Sequence, residues 1–295
     1  MAQEIGFVGL GIMGSAMSRN LAKKFPGIRV FDADKKKIRA AASAAVIGAS
    51  GVQEIASSCG IVILSLPNSA VVKSVVLGEG GLASGMKKGG LIIDTSTTEV
   101  KTEIEIAAAL TAKGIDFLDA PVSGGEKAAV EGTLSFMVGG DEKVFRAAKK
   151  YLAAMGSSVV RTGGVSMGQA AKCVNQIIVG STFSAIAESF ALGVRAGLDP
   201  RVLYEAIKDG WAGSKLLDTA CQDMFSREFK PGGTVDIHWK DLGYCLSVAQ
   251  DLDAPTPVTA LVHEIFKAAR AAGDGKKSQP AIVRLWERLL NIEVK

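Results

Sequence analysis

The stretch "EIGFVGLGIMG", residues 4–14, decides the fold. An apolar, strand-like run passes directly into G-x-G-x-x-G at Gly9, Gly11 and Gly14, and "SAMSRNLAKKF" (15–25) continues with helical spacing. A glycine triplet alone is weak. Between a strand and a helix it permits a tight turn, close approach of the backbone to a pyrophosphate and close helix–sheet packing. The free N–H groups and positive dipole end of the helix then face the phosphates. This reading outweighs a plain strand-to-helix turn and makes Gly9, Leu10, Gly11, Ile12, Met13 and Gly14 the expected dinucleotide cradle.

Working outward, further apolar runs are "IRVFD" (28–32), "IVILSL" (61–66), "LIIDT" (91–95), "IDFLDAPV" (115–122), "LSFMVGG" (134–140) and "SVVRTG" (158–163). Near-continuous apolar strands alternating with helical patterns predict a parallel sheet covered on both faces. Asp32 closes the second strand about 20 residues after the fingerprint, where a carboxylate accepts hydrogen bonds from a ribose. It favours NAD over NADP by repelling a 2′-phosphate. Lys35, Lys36 and Lys37 either offset that repulsion, leaving NADP possible, or form a solvated helix face. Leu66 and Pro67, with Ser96 and Thr97, end later strands and are expected to border the nicotinamide, because ligands of such sheets lie beyond the carboxyl ends of strands. Ser/Thr clusters are also common helix caps.

From residue 166 the strand signals stop. Residues 166–197 read as one helix of roughly 30 residues, ending at Gly197 before Asp199-Pro200. Helical patterns follow at about 200–209, 214–225, 237–252, 256–272 and 279–290. The predicted architecture is an α/β Rossmann-type dinucleotide-binding domain (1–164) and an all-α C-terminal substrate and dimerisation domain (165–295), joined by a long central helix.

Two places in this frame look chemical. "DAPVSGG" (119–125) offers the Ser123 hydroxyl and the unhindered N–H groups of Gly124 and Gly125. Such a turn is either an anion-binding concavity suited to a carboxylate or a plain glycine-rich connection. In "GQAAKCVNQ" (168–176), Lys172 is the lone charge between Arg161 and Glu188. It shares a helix face with Gly168, Asn175, Gln176 and Val179, opposite Ala170, Val174, Ile177 and Ile178. A solvated stripe usually carries several charges. One lysine with two amides, beside a glycine that leaves room for a ligand, tips the reading toward function.

Composition removes other classes. Across 295 residues the net charge is +4 and the basic residues are dispersed, which argues against a nucleic-acid surface. Two histidines, His238 and His263, leave little scope for a zinc site or a Ser-His-Asp hydrolase, and no metal is expected. The amino terminus lacks signal-peptide character, and no uninterrupted apolar window of membrane-spanning length is present. Four well-separated cysteines fit reduced thiols in the cytoplasm.

In order, "GLGIMG", "DAPVSGG", "GQAAKCVNQ" and "KDL" (240–242) resemble the four signature regions of the β-hydroxyacid dehydrogenases, over essentially the whole chain. The resemblance implies a nicotinamide-dependent oxidoreductase in which Lys172 is the general acid–base. It implies that Ser123, Gly124 and Gly125 hold the substrate carboxylate and that Asn175 orients the substrate oxygen. Thr97 would border the nicotinamide, and Lys240 would reach cofactor or substrate. A free lysine, with a pKa of about 10.4, holds its proton tightly. Partial burial and a second cation such as Lys240 would lower that value. The implied partner is a small semialdehyde or hydroxy acid, with tartronate semialdehyde first and 3-hydroxyisobutyrate- or L-threonate-type acids as alternatives. Gly233, where a larger aromatic residue is expected after "KPG", and Trp211 keep those alternatives open. A homodimer or homotetramer is implied too. A catalytically silent dinucleotide-binding module is the alternative of another class.

Overall fold

The computed structural model describes residues 4–295. The chain divides into two compact units, one running to Lys172 and the other from Cys173 to Lys295.

The first unit is built on a nine-stranded sheet: β1 (Ile5–Val8), β2 (Ile28–Phe31), β3 (Val46–Gly48), β4 (Ile61–Leu64), β5 (Leu91–Asp94), β6 (Asp116–Asp119), β7 (Val122–Ser123), β8 (Leu134–Gly140) and β9 (Gly156–Gly163). The order β3-β2-β1-β4-β5-β6 is parallel throughout, and the strand order reverses between β1 and β4. The apolar runs are continuous because both faces are covered. Phe7, Ile61, Ile63, Leu91 and Ile93 join one buried layer, while Val8, Val62, Leu64 and Ile92 join the other.

One expectation is corrected here. The sheet is mixed, since β6 and β7 both pair antiparallel with β8, and β9 then runs parallel to β8. An apolar run such as "LSFMVGG" records burial but not direction.

The second unit is helical, with helices Pro200–Ile207, Lys215–Ser226, Val235–Asp251, Pro257–Ala269 and Val283–Leu290. Asp199, Ser214 and Thr234 cap three of them through side-chain oxygens that accept backbone N–H groups. The predicted helix 256–272 is α-helical over Pro257–Ala269 and passes into a π-helical turn, Arg270–Asp274, in which Gly273 has a φ of 86°. Helix Met167–Arg195 carries the chain from one unit into the next. It is long and apolar enough to cross a membrane by length and composition alone. Phe183, Ala187, Phe190 and Ala191 are nonetheless buried in the hydrophobic core of the second unit, the position of a core helix.

Candidate functional site

The fingerprint turn lies at the strand-order reversal, where an open α/β sheet binds its ligands. Gly9 has a φ of +98°, and a methyl added at Gly14 would sit 2.0 Å from the Gly9 carbonyl oxygen. Both glycines are therefore required by the turn itself. Gly11 differs: its φ is −64° and an added methyl would meet nothing within 4 Å. Gly11 is the N-cap of helix Ile12–Lys24 and supplies no capping side chain. Open space before uncapped N–H groups fits a pyrophosphate.

Asp32 seals the turn, since its Oδ2 accepts the Leu10 N–H at 2.7 Å and its Oδ1 accepts the Asp34 N–H at 2.8 Å. Lys37 Nζ stands 3.6 Å from Asp32 Oδ2. An open cavity of about 420 Å³ is lined here by Leu10, Gly11, Ile12, Ser15, Arg19 and Lys37, among others. Sequence reasoning missed Arg19 as a cavity residue. Its four-residue spacing from Ser15 and Gly11 placed all three on one helix face.

Beyond β4 and β5 the expected loops are present. Leu66 is half-buried and Pro67 exposed; Leu66 N–H donates to Ser96 Oγ at 2.8 Å. Thr97 is half-buried between the buried Ser96 and Thr98. Ser96 N–H in turn donates to Asp94 Oδ1 at 2.9 Å. Gln169 closes this loop from the first turn of the long helix. Its Nε2 donates to Ser96 O at 2.9 Å, and its Oε1 accepts the Thr98 N–H at 3.2 Å.

Ser123 ends β7 half-buried, and Gly124 and Gly125 are exposed, with φ of 130° and 71°. A side chain at Gly124 would also strike Ala128, with 2.7 Å between the two Cβ atoms, whereas Gly125 faces open space. Consecutive left-handed glycines leave the N–H groups of this turn unhindered, as an anion cradle needs.

Lys172 is only 7 % exposed, so it is no solvated stripe. The helix is inverted relative to an ordinary amphipathic one. Gln169, Lys172 and Gln176 are buried, while Val174 and Ile178 are 59 % and 58 % exposed. The helix start is fixed by Asp119, whose carboxylate accepts the Ser166 N–H at 2.7 Å and the Gln169 N–H at 2.9 Å. Burial raises that carboxyl from 3.8 to about 6, against the opposing pull of those N–H groups. Gly168 corrects a second expectation. A methyl there would lie 2.5 Å from Met137 O and 2.7 Å from Asp119 O, so the missing side chain serves helix–strand packing, not ligand room.

In the second unit, Asn175 Nδ2 donates to Gln176 Oε1 at 2.8 Å, and Gln176 Nε2 donates to Asp241 Oδ2 at 2.7 Å. Lys240 Nζ lies 3.2 Å from Asp241 Oδ1. One polar chain thus connects Asn175 to Lys240 through two buried groups, Gln176, counted in the sequence only as an amide on the lysine's face, and Asp241, given no role there. Asp241 was visible in "KDL" and Gln176 in "VNQ", but nothing in their spacing showed that they meet.

Residues 4–164 match the family described as the NAD binding domain of 6-phosphogluconate dehydrogenase. Residues 166–286 match the family described as NAD-binding of NADP-dependent 3-hydroxyisobutyrate dehydrogenase. The chain is 34 % identical over 292 residues to 2-(hydroxymethyl)glutarate dehydrogenase of Eubacterium barkeri, covering 99 % of this chain and 97 % of that one. It is also 34 % identical over 292 residues to 2-hydroxy-3-oxopropionate reductase of Escherichia coli, with 98 % of each covered. Among solved structures, 3-hydroxyisobutyrate dehydrogenase of Salmonella typhimurium superposes with a TM-score of 0.88 at 30 % identity, over 96 % of this chain and 100 % of that one.

Proposed function

This chain belongs to the β-hydroxyacid dehydrogenase family, and on that premise we propose that it reduces tartronate semialdehyde to D-glycerate. At the level of the family it is an oxidoreductase using a nicotinamide cofactor. The observation that carries the proton-transfer role is Lys172, a 7 % exposed lysine one helical turn from Asn175, while the choice of substrate rests on the similarity to 2-hydroxy-3-oxopropionate reductase.

When bound, the cofactor supplies or accepts the hydride at its nicotinamide ring. The chain's own residues do the rest. The Lys172 ammonium gives its proton to the carbonyl oxygen as negative charge develops there, and its neutral amine removes that proton in the reverse direction. Ser123, Gly124 and Gly125 hold the substrate carboxylate with a hydroxyl and backbone N–H groups. Asn175 orients the substrate oxygen, and Lys240 reaches cofactor or substrate. Residues 9–14 hold the pyrophosphate. Leu66, Pro67 and Thr97 border the nicotinamide, and Asp32 selects NAD over NADP.

A 3-hydroxyisobutyrate- or L-threonate-type substrate is the second reading, favoured by Gly233. A side chain there would stand 3.2 Å from the Gln279 amide nitrogen, so a larger residue would have to displace it. We place the protein in the cytoplasm with neither membrane nor nucleic-acid partner, supported by four cysteines far apart in sequence and a mild net charge. Val174, Ile178 and Leu192, exposed along one face of the long helix, support a homodimer or homotetramer.

The test is Lys172→Ala, assayed with tartronate semialdehyde, 3-hydroxyisobutyrate and L-threonate against NAD(H) and NADP(H). Cofactor binding survives while turnover falls by about two to four orders of magnitude, the usual cost of losing a general acid. Near-normal turnover in the variant refutes the role of Lys172. Failure of the unaltered enzyme to turn over any of these acids refutes the substrate class.

A further inference from the structure

Helix Val100–Thr111 buries Thr102, Glu103, Ile106, Ala107 and Leu110 on one face. Four of these are what a core-facing stripe contains; Glu103 is not. It is 0 % exposed, as is Asp94 at the end of β5. Buried carboxyls are costly unless paired and hydrogen-bonded. Glu103 Oε1 accepts the Thr98 hydroxyl, and Asp94 Oδ1 accepts the Ser96 N–H. The other oxygen of each, Glu103 Oε2 and Asp94 Oδ2, is buried with no N–H or O–H donor. The two carboxyls hold the same short loop, Asp94 at Ser96 and Glu103 at Thr98, and stand close enough for the charge of Asp94 to act on Glu103. Two buried carboxyls, each with an oxygen lacking a donor, are both relieved by one proton held between them.

We propose that Glu103 is a positioning residue for the cofactor site, sharing one proton with Asp94 and thereby holding the 95–98 loop in place. The inference rests on the reading that Thr97 borders the nicotinamide. Thr97 is held from both sides: Asp94 takes the N–H of Ser96, and Glu103 takes the hydroxyl of Thr98. Gln169 spans the same loop from Ser96 O to Thr98 N.

The charged and titratable surroundings favour the protonated form. Burial, followed by the charge of Asp94, raises Glu103 well above the usual carboxylate range. Asp119 on β6 adds a third buried carboxylate of like sign. On its own helix, Glu105 is exposed and ion-paired with Lys73 of the neighbouring helix, and Lys101 pairs with Glu99. From the long helix comes Gln169, which is uncharged. Loss of the shared proton leaves Asp94 and Glu103 both charged in a dry space, and the loop loses its hold.

Carbon-13 NMR of the side-chain carboxyls in the intact protein tests the proton directly, without substrate. The Glu103 carboxyl carbon keeps the shift of a protonated acid through neutral pH; titration with the exposed glutamates overturns the proposal. Glu103→Gln then tests the consequence, because its amide donates to Asp94 and accepts from Thr98 but does not titrate. NADH affinity, followed by fluorescence from about pH 6 to about pH 10, weakens in the unaltered protein at the alkaline end and stays level in the variant. Glu103→Leu, of similar size but unable to bond, weakens NADH binding at least about tenfold at neutral pH. Parallel pH profiles for the unaltered protein and Glu103→Gln refute the positioning role. These readouts are independent of Lys172 turnover, so either reading can fail alone.

Discussion

Gly11 and Gly14 lie three residues apart in one turn, and their replacement by alanine separates cofactor recognition from folding. At Gly14 the new methyl would be 2.0 Å from Gly9 O and 3.2 Å from the Phe7 ring. A carbon atom cannot approach a carbonyl oxygen closer than about 3 Å, so the helix must withdraw by on the order of 1 Å from a backbone that cannot yield. Overpacking of this kind costs about 1–3 kcal/mol, and a backbone obstacle places Gly14→Ala near the upper end. For a unit of 172 residues, about 3 kcal/mol lowers the melting temperature by roughly 6–12 °C. Gly11→Ala meets nothing within 4 Å and needs no left-handed φ. A poorer N-cap and a less flexible unfolded chain roughly cancel, so melting shifts by less than about 2 °C. The methyl instead fills the space before the helix N-terminus, and NADH affinity falls at least about tenfold, or 1.4 kcal/mol. Thermal melts without cofactor and fluorescence titration with NADH read the two effects. Unchanged melting of Gly14→Ala, or unchanged NADH affinity of Gly11→Ala, refutes the reasoning.

Two further outcomes are expected. Asp119 is raised from 3.8 to about 6 in the folded chain, so its contribution to stability is fully present below about pH 4 and is lost as pH rises through about 6. That loss amounts to roughly 3 kcal/mol at about 1.4 kcal/mol per pH unit. Denaturant melts of Asp119→Asn and of the unaltered protein should therefore converge, or cross, in the variant's favour between about pH 4 and pH 7. A pH-independent gap contradicts this. Val174→Glu combined with Ile178→Glu places charge on the exposed apolar face and lowers the molar mass measured by light scattering to that of one chain. A variant that keeps the oligomeric mass of the unaltered protein, or an unaltered protein that is itself monomeric, removes the interface.

Much of this architecture was readable from local pattern. The fingerprint sits where strand, turn and helix signals agree, and the caps at Asp199, Ser214 and Thr234 mark helix starts that periodicity already implied. Other features depend on contacts distant in sequence. β3 is only three residues long, with Ile47 exposed and Gly48 at its end, too short and too open to leave an alternating signature. The antiparallel turn of the sheet at β8 is invisible because a buried strand looks the same in either direction. On the long helix the spacing placed Lys172, Asn175 and Gln176 on one face. It could not show that the apolar side carrying Val174 and Ile178 is the exposed one. Asp94, Glu103 and Asp119 were missed as a group for a related reason. Each reads singly as a strand end or a helix surface charge, and only the folded sheet brings Asp94 beside Asp119.

Asp32 has a consequence for redesign. Its carboxylate closes the second strand and also receives the Leu10 N–H of the fingerprint turn at 2.7 Å. An engineer seeking to exchange one dinucleotide for the other would remove this negative charge first, and with alanine would loosen the turn that grips both. Asparagine or serine retains an acceptor for that N–H. On the role proposed for Asp32, cofactor choice and scaffold fall to a single side chain, so a change made for the first also acts on the second.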